Sequence, residues 1–238
     1  MGTPGQYGAR GFTPGIPYRW GTVHDGLTAS FIRSSGVSNG ESDRHLFAWI
    51  RPTNFTGYNP ILDLSDGVPN DRFYLFINQT TGTLIGRVRR SGANVVIVNS
   101  SAPLVAGALS FVAVSWASGA GNPSRLWING VDVTTHAAAS VYTAPVVDEV
   151  TIGANAGGTV FLGKIYRTML GAGPCTQADV DFVMGLHDWR LRRSEHLWLH
   201  GDGPRDTADF IGDEGVVGGW DAVKAGAPSL VYEVVPGV

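Results

Sequence analysis

The stretch between Leu109 and Thr168 constrains the fold more than any other part of the chain. It holds four short runs that are rich in β-branched and aromatic residues, namely LSFVAVSW, RLWINGVDV, VTIGANAGG and FLGKIYRT. Each run is bounded by Gly, Pro, Asn or Ser, the residue types that favour turns. Short runs of this composition between turn residues are typical of consecutive antiparallel strands. The sequence therefore predicts an antiparallel all-β protein.

Strand patterns of the same kind occur earlier in the chain, from Leu27 onward, and turn sequences such as QTTGT and RSGAN separate them. The predicted strands cover residues 28–33, 45–52, 60–66, 72–79, 84–90 and 94–100. Short strands at regular spacing predict a two-sheet antiparallel jelly-roll sandwich. The 33 glycines and 13 prolines, with only 16% charged residues, suit the many turns that such a fold needs.

One of these predicted strands, residues 72–79, is apolar on both faces. Phe73, Leu75 and Ile77 alternate onto one face, whereas Tyr74 and Phe76 alternate onto the other. Two interpretations remain open. The strand is either central and partly covered on its outer side, or it carries a row of exposed aromatic rings.

The N-terminal residues 1–22 carry Gly or Pro every few positions and show no hydrophobic period. This composition predicts an extended N-terminal arm instead of a packed element. The β-sandwich is then expected to span residues 23–175. We see no repeat and no linker that would split the chain into independent domains.

After the sandwich, the sequence predicts a short helix and connection over residues 176–193. Thr176 and Asp179 match a capping box at the start of this helix. The apolar stripe that follows consists of Val180, Val183 and Met184. Residues 194–238 are expected to add C-terminal strands and an acidic loop that pack on the sandwich.

Several functional classes are disfavoured by composition. A net charge of −3 gives no general attraction to nucleic acid. No stretch approaches 18 consecutive apolar residues, so we expect no membrane span, and the first residues lack the apolar core of a secretory signal. The single cysteine, Cys175, excludes an intrachain disulfide and fits synthesis in a reducing cytoplasm.

Five motifs follow one another between residues 45 and 173. They are Trp49 in LFAWIRP, the strand FVAVSW, the run RLWINGV with its Asn129–Gly130 turn, VTIGA, and the run FLGKI around Gly163. Their order and spacing resemble the concanavalin A-like lectin and glucanase superfamily, in particular its laminin-G-like branch. The resemblance implies a curved antiparallel sandwich. Gly153 and Gly163 are expected at bulges or close backbone approaches in the curved strands.

The tail EHLWLHGDGPRDTADFIGDEG is similar to the segment that trails laminin-G-like domains in bacteriophage structural proteins. This likeness implies a non-enzymatic virion surface protein, made in the host cytoplasm and used for capsid decoration or a similar accessory role. We expect residues 1–22 and the C-terminal segment to contact other virion proteins such as the major capsid protein. The protein would then be oligomeric or part of a large assembly.

A carbohydrate-binding module or adhesin is the alternative function. Tyr58, Tyr74, Trp127 and Tyr142 are candidates for stacking on sugar rings, although packing in the core explains them equally well. A glycoside hydrolase is the weaker alternative. Retaining glucanases of the superfamily carry closely spaced carboxylates on one strand, and here Glu41 and Asp43 come nearest to that pattern without the third carboxylate.

No cofactor is predicted, except that one group of oxygen ligands fits calcium. Asp63, Asp66, Asn70 and Asp71 fall within nine residues at a predicted strand end. Carboxylate and amide oxygens are the ligands that Ca²⁺ prefers, and calcium sites occur at the rim of laminin-G-like domains. The same residue types are also the ordinary residues of turns.

Arginines concentrate at Arg87, Arg89 and Arg90 and again at residues 190–193. Strand alternation places Arg87 and Arg89 on one face. This face is either solvated or contacts an acidic partner surface.

Overall fold

The structure is a computed structural model of the 238-residue chain. It describes residues 18–25, 31–35, 42–119, 124–139, 141–147, 149–155, 158–185, 195–199, 210–211, 222–225 and 229–234. These ranges contain seventeen strands and one helix. The strands are β1 (Tyr18–Asp25), β2 (Phe31–Ser35), β3 (Arg44–Pro52), β4 (Asn59–Ser65), β5 (Arg72–Ile77), β6 (Thr83–Arg90), β7 (Ala93–Pro103), β8 (Ser110–Trp116), β9 (Arg125–Ile128), β10 (Val131–Asp132), β11 (Thr134–Ala139), β12 (Glu149–Ile152), β13 (Leu162–Ala172), β14 (Glu195–Leu199), β15 (Phe210–Ile211), β16 (Ala222–Ala225) and β17 (Ser229–Val234). The helix α1 spans Gln177–Gly185.

The strands form two antiparallel sheets. The first sheet has eight strands in the order β10-β9-β8-β3-β13-β1-β17, with β14 also paired to β13. The second sheet has nine strands in the order β11-β7-β6-β5-β4-β12-β2-β16-β15. Neighbours in each sheet come from distant parts of the chain, for example β1 beside β17 and β3 beside β13. The predicted all-β sandwich with one short helix is confirmed.

The main core lies between the two sheets. Leu46 and Val114 reach it from the first sheet, while Phe73, Leu75 and Ile77 reach it from the second, and all five are fully buried. Burial of a single side chain of this size stabilises the fold by about 1.5–3 kcal/mol. Strand alternation then sends the neighbouring side chains to the outer faces of the sheets.

Two glycines of the sequence motifs, Gly130 and Gly163, allow a tight turn and a close approach between strands. Asn129 and Gly130 both have positive φ, at 50° and 80°, and they form the tight turn between β9 and β10, as predicted. Gly163 has a φ of 150° and stands opposite Pro52 on β3. A Cβ at this position would come within 2.4 Å of the carbonyl oxygen of Arg51, so the expected close backbone approach is confirmed.

The helix α1 covers the outer face of the first sheet. Thr176 Oγ1 and the Thr176 amide each donate to Asp179 Oδ2 at 2.8 Å, so the predicted capping box is confirmed. Val180 and Val183 are fully buried against the sheet. The sheet contributes to this second cluster with Phe47, Trp49, Phe111, Ala113, Trp127, Tyr166 and Met169. Gln177 also ties the helix to the sheet, since its Oε1 accepts a hydrogen bond from Trp127 Nε1 at 2.8 Å.

The structure changes some of the predicted boundaries. β1 begins at Tyr18, inside the stretch for which the sequence predicts an arm, and its backbone pairs with β13 and β17. The C-terminal strands predicted within residues 194–238 include β14 and β17. β11, β15 and β16 lack a prediction, because their sequences are short or rich in alanine. Residues 1–17 and most of the acidic loop lie outside the described residues.

Candidate functional site

The outer face of the second sheet carries an aromatic cluster of its own. Tyr74 and Phe76 of β5 and Ile85 of β6 are between 1% and 7% exposed, and Ile97 of β7 packs against them. The Tyr74 and Phe76 rings stack at a centroid distance of 4.9 Å and an interplanar angle of 11°. We call these four residues the outer-face cluster. The interpretation of residues 72–79 as a central strand with a covered outer side is therefore correct.

Tyr58 lies at the edge of this cluster, with its ring open to solvent. The ring centroid is 5.5 Å from that of Phe76, and the residue is 49% exposed. Its neighbour Asn59 is fully buried, donates to the Gly57 carbonyl at 3.0 Å and accepts from the Leu162 amide at 3.1 Å. These bonds fix the backbone next to Tyr58. The ring itself lies against Phe76 on one side and is open to solvent on the other.

Arginine side chains cover the rest of the outer-face cluster. The guanidinium carbon of Arg72 lies 4.0 Å from the Tyr74 ring centroid, and that of Arg87 lies 5.1 Å from the Phe76 centroid. Arg87 Nη1 also donates to the Tyr74 hydroxyl at 3.0 Å. Each contact of a cation with a ring face contributes about 0.5–1 kcal/mol at an exposed site. The rings on the outer face of the second sheet are thus covered by arginine side chains, whereas those on the first sheet are covered by the helix α1.

Positive charge predominates at this position of the sheet. Arg72 of β5 and Arg89 of β6 stand directly opposite each other in the strand register, and Arg87 is next to Arg89 on the same face. The carboxylate of Asp63 accepts from Arg72 Nη1 at 3.4 Å. Within the part of the chain that the structure describes, no carboxylate lies within salt-bridge distance of Arg87 or Arg89. We call Arg72, Arg87 and Arg89 the arginine group.

The arginine group also has hydrogen-bond donors to spare. Arg89 Nη2 donates to the Gly92 carbonyl. The Nε atoms of Arg72, Arg87 and Arg89 are all buried, and among the described residues none of the three has an acceptor. A buried donor without an acceptor costs about 1–3 kcal/mol. These buried atoms are closed to a ligand, but each arginine makes its hydrogen bond to Asp63, Tyr74 or Gly92 through one Nη, and its other Nη can donate to a ligand oxygen.

The four predicted calcium ligands lie near this face but have separate contacts. Asp63 is fully buried on β4 and pairs with Arg72. Asp66 Oδ1 accepts from the Val68 amide at 3.3 Å, which is a local turn contact, and Asn70 is exposed. Among the described residues, no group of three or more His, Cys, Asp or Glu side chains is arranged to hold a metal. Binding of calcium at Asp63, Asp66, Asn70 and Asp71 stays a prediction.

Asp71 joins three segments of the chain. Its carboxylate accepts from the Ser91 amide at 2.5 Å, from the Val146 amide at 3.0 Å and from Arg90 Nη1. Burial acts to raise the pKa of Asp71, but the two amide bonds and the Arg90 charge outweigh it and lower the pKa below the usual 3.8. The ionised carboxylate therefore stabilises the folded chain.

The remaining aromatic candidates for sugar stacking are buried. Tyr74, Trp127 and Tyr142 are 6%, 2% and 8% exposed, so of the four candidates Tyr58 alone offers an open ring. The Tyr142 hydroxyl donates to the Ser42 carbonyl at 2.7 Å. Burial, with a smaller effect of the nearby Asp43 charge, raises the pKa of Tyr142. The sequence does not distinguish Tyr58 from the other three, because their exposure depends on contacts between distant strands.

Of Glu41 and Asp43, the carboxylates considered for hydrolysis, the structure describes Asp43. Asp43 Oδ1 accepts from the Ser118 amide at 2.8 Å, so it caps a loop. Glu41 lies outside the described residues, and so do residues 190–193 with their arginines. No helix in the described ranges has the length and apolar composition needed to cross a bilayer.

Comparison with known proteins agrees with the two-sheet antiparallel fold. A family model of the laminin G type, described as concanavalin A-like lectin/glucanases superfamily, matches residues 32–181. The chain belongs to this superfamily. The match covers well over half of the chain and includes strands of both sheets and the first turn of the helix α1. The family predicted from the five motifs is thus confirmed, whereas a search of curated proteins finds no match.

Solved structures of low sequence identity share the fold. A Bacteroides ovatus protein described as carbohydrate-binding has a TM-score of 0.67 at 15% identity over 93% of this chain, which spans 62% of that protein. The heptameric pentraxin of Limulus polyphemus has a TM-score of 0.60 at 14% identity, covering 91% of this chain and 95% of its own. A sialidase CBM40 module from Ruminococcus gnavus, solved with α2,3-sialyllactose, has a TM-score of 0.52 at 14% identity, covering 69% and 98%.

Proposed function

We propose that this superfamily member is a non-enzymatic carbohydrate-binding module, and that sugars bind on the outer face of its second sheet. The observation that carries the proposal is the half-exposed ring of Tyr58, held at the edge of the outer-face cluster and beside the arginine group. An aromatic ring with one open face and nearby hydrogen-bond donors is what a sugar ring needs for stacking and orientation.

The first sheet is a poorer candidate for the binding face. Helix α1 buries the Phe47, Phe111 and Trp127 side chains, and the Trp127 indole N–H is already bonded to Gln177. A ligand would have to displace the helix to reach these rings. The second sheet needs no such rearrangement at Tyr58.

The fold neighbours support a binding role. Both the Bacteroides ovatus protein and the Ruminococcus gnavus CBM40 module carry carbohydrate binding in their descriptions. These likenesses are below 25% identity, so they support the fold and not a particular sugar. We propose binding without cleavage because the ionisable group that contacts Phe76, beside Tyr58, is the Arg87 guanidinium, which cannot donate a proton at neutral pH.

A glycan array of neutral and acidic oligosaccharides, followed by calorimetry, tests the proposal. The Tyr58→Ala variant should lose about tenfold in affinity for the best-bound glycan, since stacking of an aromatic ring contributes about 0.5–1.5 kcal/mol beyond its buried area. Phe182→Ala is the matched control, because Phe182 is 54% exposed on α1, over the first sheet. Retention of no glycan at all, or an equal loss in both variants, would contradict the proposal.

The virion role stays a prediction. It depends on residues 1–22 and the C-terminal segment, most of which lie outside the described residues. A glycan-binding face is compatible with display on a particle surface. Co-purification of the full chain with capsids, compared with a chain lacking residues 1–17, would test the anchoring directly; equal incorporation would contradict it.

A further inference from the structure

We infer that the ligand of this face is an acidic sugar, whose carboxylate or sulfate group binds at Arg72, Arg87 and Arg89. The inference rests on the proposed function and adds the chemical class of the glycan. It follows from the charge and hydrogen bonding of the arginine group and not from the fold.

The first argument is charge compensation. Arg72 is 8% exposed and Arg87 and Arg89 are partly buried, yet a single carboxylate, that of Asp63, contacts the group within the described residues. Glu149 stands in the same row of the sheet as Arg72, two strands away. Partly buried cations without a counter-charge are unfavourable. An anionic ligand would supply the missing negative charge.

The second argument is the strand register. Arg72 and Arg89 occupy directly opposite positions of an antiparallel pair. Like charges at such positions destabilise a sheet, so folding alone does not favour this pair. An anion bound over this row of the sheet would be attracted by both charges.

The third argument is hydrogen-bond geometry. Each member of the arginine group uses one Nη in a hydrogen bond within the described chain, and its other Nη is left to donate to a ligand. The planar guanidinium group matches the spacing of carboxylate and sulfate oxygens and binds them more strongly than neutral hydroxyl groups. A neutral sugar would leave the charge uncompensated.

The arrangement along the strands sets the order of the contacts. The Tyr58 ring lies against Phe76, which is at one end of this row of outer-face residues on β5 and β6. The Tyr74–Arg87 pair follows, and the Arg72–Arg89 pair comes last. Successive pairs on one face are about 7 Å apart along a strand. The sugar ring is thus expected at Tyr58 and its acidic substituent toward Arg87 and Arg89.

The experiment compares acidic and neutral forms of one glycan. The probes are α2,3-sialyllactose against lactose, and a chondroitin tetrasaccharide with and without its sulfate groups, so that carboxylate and sulfate are tested separately. A single-stranded oligothymidine of matched charge tests nucleic acid, which aromatic and arginine surfaces also bind. Dissociation constants are measured by calorimetry with the full chain.

Three variants identify the residues. Arg87→Gln and Arg89→Gln should each weaken binding of the acidic probe at least tenfold and weaken binding of its neutral form by a clearly smaller factor. Arg125→Gln is the control of equal charge change, because Arg125 lies on β9 of the first sheet and pairs with Asp132. It should change affinity less than twofold. Thermal melts of each variant exclude loss of the fold as the cause.

The outcomes separate this inference from the proposed function. Tighter binding of an acidic form, lost in the Arg87 and Arg89 variants, supports both. Equal binding of acidic and neutral forms would overturn the inference and leave the glycan-binding function standing. Binding of no probe and of no array glycan would overturn the proposed function and the inference with it. Tighter binding of oligothymidine than of every acidic glycan would also overturn the inference.

Discussion

The outer faces of the two sheets are closed in different ways. On the first sheet, α1 packs Val180 and Val183 onto aromatic side chains, and Gln177 accepts from Trp127 Nε1. On the second sheet, the rings are covered by Tyr58 and the arginine group, and each of these arginines has one Nη that makes no hydrogen bond among the described residues. On the first face, the chain itself supplies the side chains that cover the rings and the acceptor for the Trp127 indole. The second still has donors and charge available, and this difference identifies it as the face for a ligand.

The largest expected effect concerns the closed face. Phe111 is fully buried between Phe47 and Trp49, with ring centroids at 6.2 and 5.3 Å. Phe111→Ala should lower the free energy of unfolding by about 3–5 kcal/mol through lost burial and the cavity left behind. Urea denaturation measures this loss. Phe182→Ala, at an exposed site on α1, should stay within about 0.5 kcal/mol, and a loss below about 1 kcal/mol in Phe111→Ala would mean that the first sheet is not closed by this packing.

The second-largest expected effect concerns Asp71, which precedes Arg72 and joins three segments of the chain. Asp71→Asn should destabilise the protein at pH 7 by about 1.5–3 kcal/mol, because the bonds to Ser91, Val146 and Arg90 lose their charge.

The pH dependence of this effect has a definite sign. The pKa of folded Asp71 is below the usual 3.8, so its stabilising contribution is present above that value and is lost as the pH falls through the folded pKa. The difference between wild type and Asp71→Asn should therefore shrink below about pH 4. Denaturation curves from pH 7 to pH 2.5 test this; a difference that is constant or that grows on acidification would show that Asp71 does not act through its charge.

Calcium binding is expected to stabilise the region around Asp71. The sequence-based prediction is that Asp63, Asp66, Asn70 and Asp71 bind Ca²⁺, in which case 5 mM calcium chloride should stabilise the protein by about 1–2 kcal/mol for a dissociation constant of about 0.1–1 mM. Excess EDTA should reverse the shift in melting temperature, and Asp66→Asn should weaken it. Asp63 and Asp71 now contact Arg72 and Arg90, so calcium would have to compete with both arginines. An unchanged melting temperature would refute this site.

The smallest expected effect is that of Arg89, on the outer face of the second sheet, on the stability of the fold. Arg89→Gln removes one of two opposed charges and one hydrogen bond to the Gly92 carbonyl, and these changes act in opposite directions. The free energy of unfolding should therefore remain within about 1 kcal/mol of wild type. Chemical denaturation decides the point. A loss of more than about 2 kcal/mol would assign Arg89 a structural role and remove the main reason to place it in a binding site.

Much of the fold could be predicted from local sequence patterns. The Asn129–Gly130 turn, the Thr176–Asp179 capping box and the two apolar faces of residues 72–79 each depend on neighbours a few residues away. Such patterns are legible because strand and helix periods fix which side chains share a face. The superfamily followed from the order of five such motifs.

The site depended on contacts that no local pattern reveals. Asp71 reaches Val146, 75 residues away, and the Asn59 that positions Tyr58 reaches Leu162, 103 residues away. The opposed arginines were visible in the sequence as separate residues, but the β5–β6 register alone shows that Arg72 faces Arg89. Likewise, the composition of residues 18–22 gave no sign that β1 pairs with β17 near the other end of the chain.

The most direct test of the account is to map where a sugar binds. Backbone amide chemical shifts can be followed by NMR while the best-bound glycan is added to the full chain. The account predicts that the shifts concentrate at Tyr58 and along β5 and β6, and that α1 and β9 remain unchanged. Shifts that concentrate instead at α1 and the β9–β10 turn would contradict it.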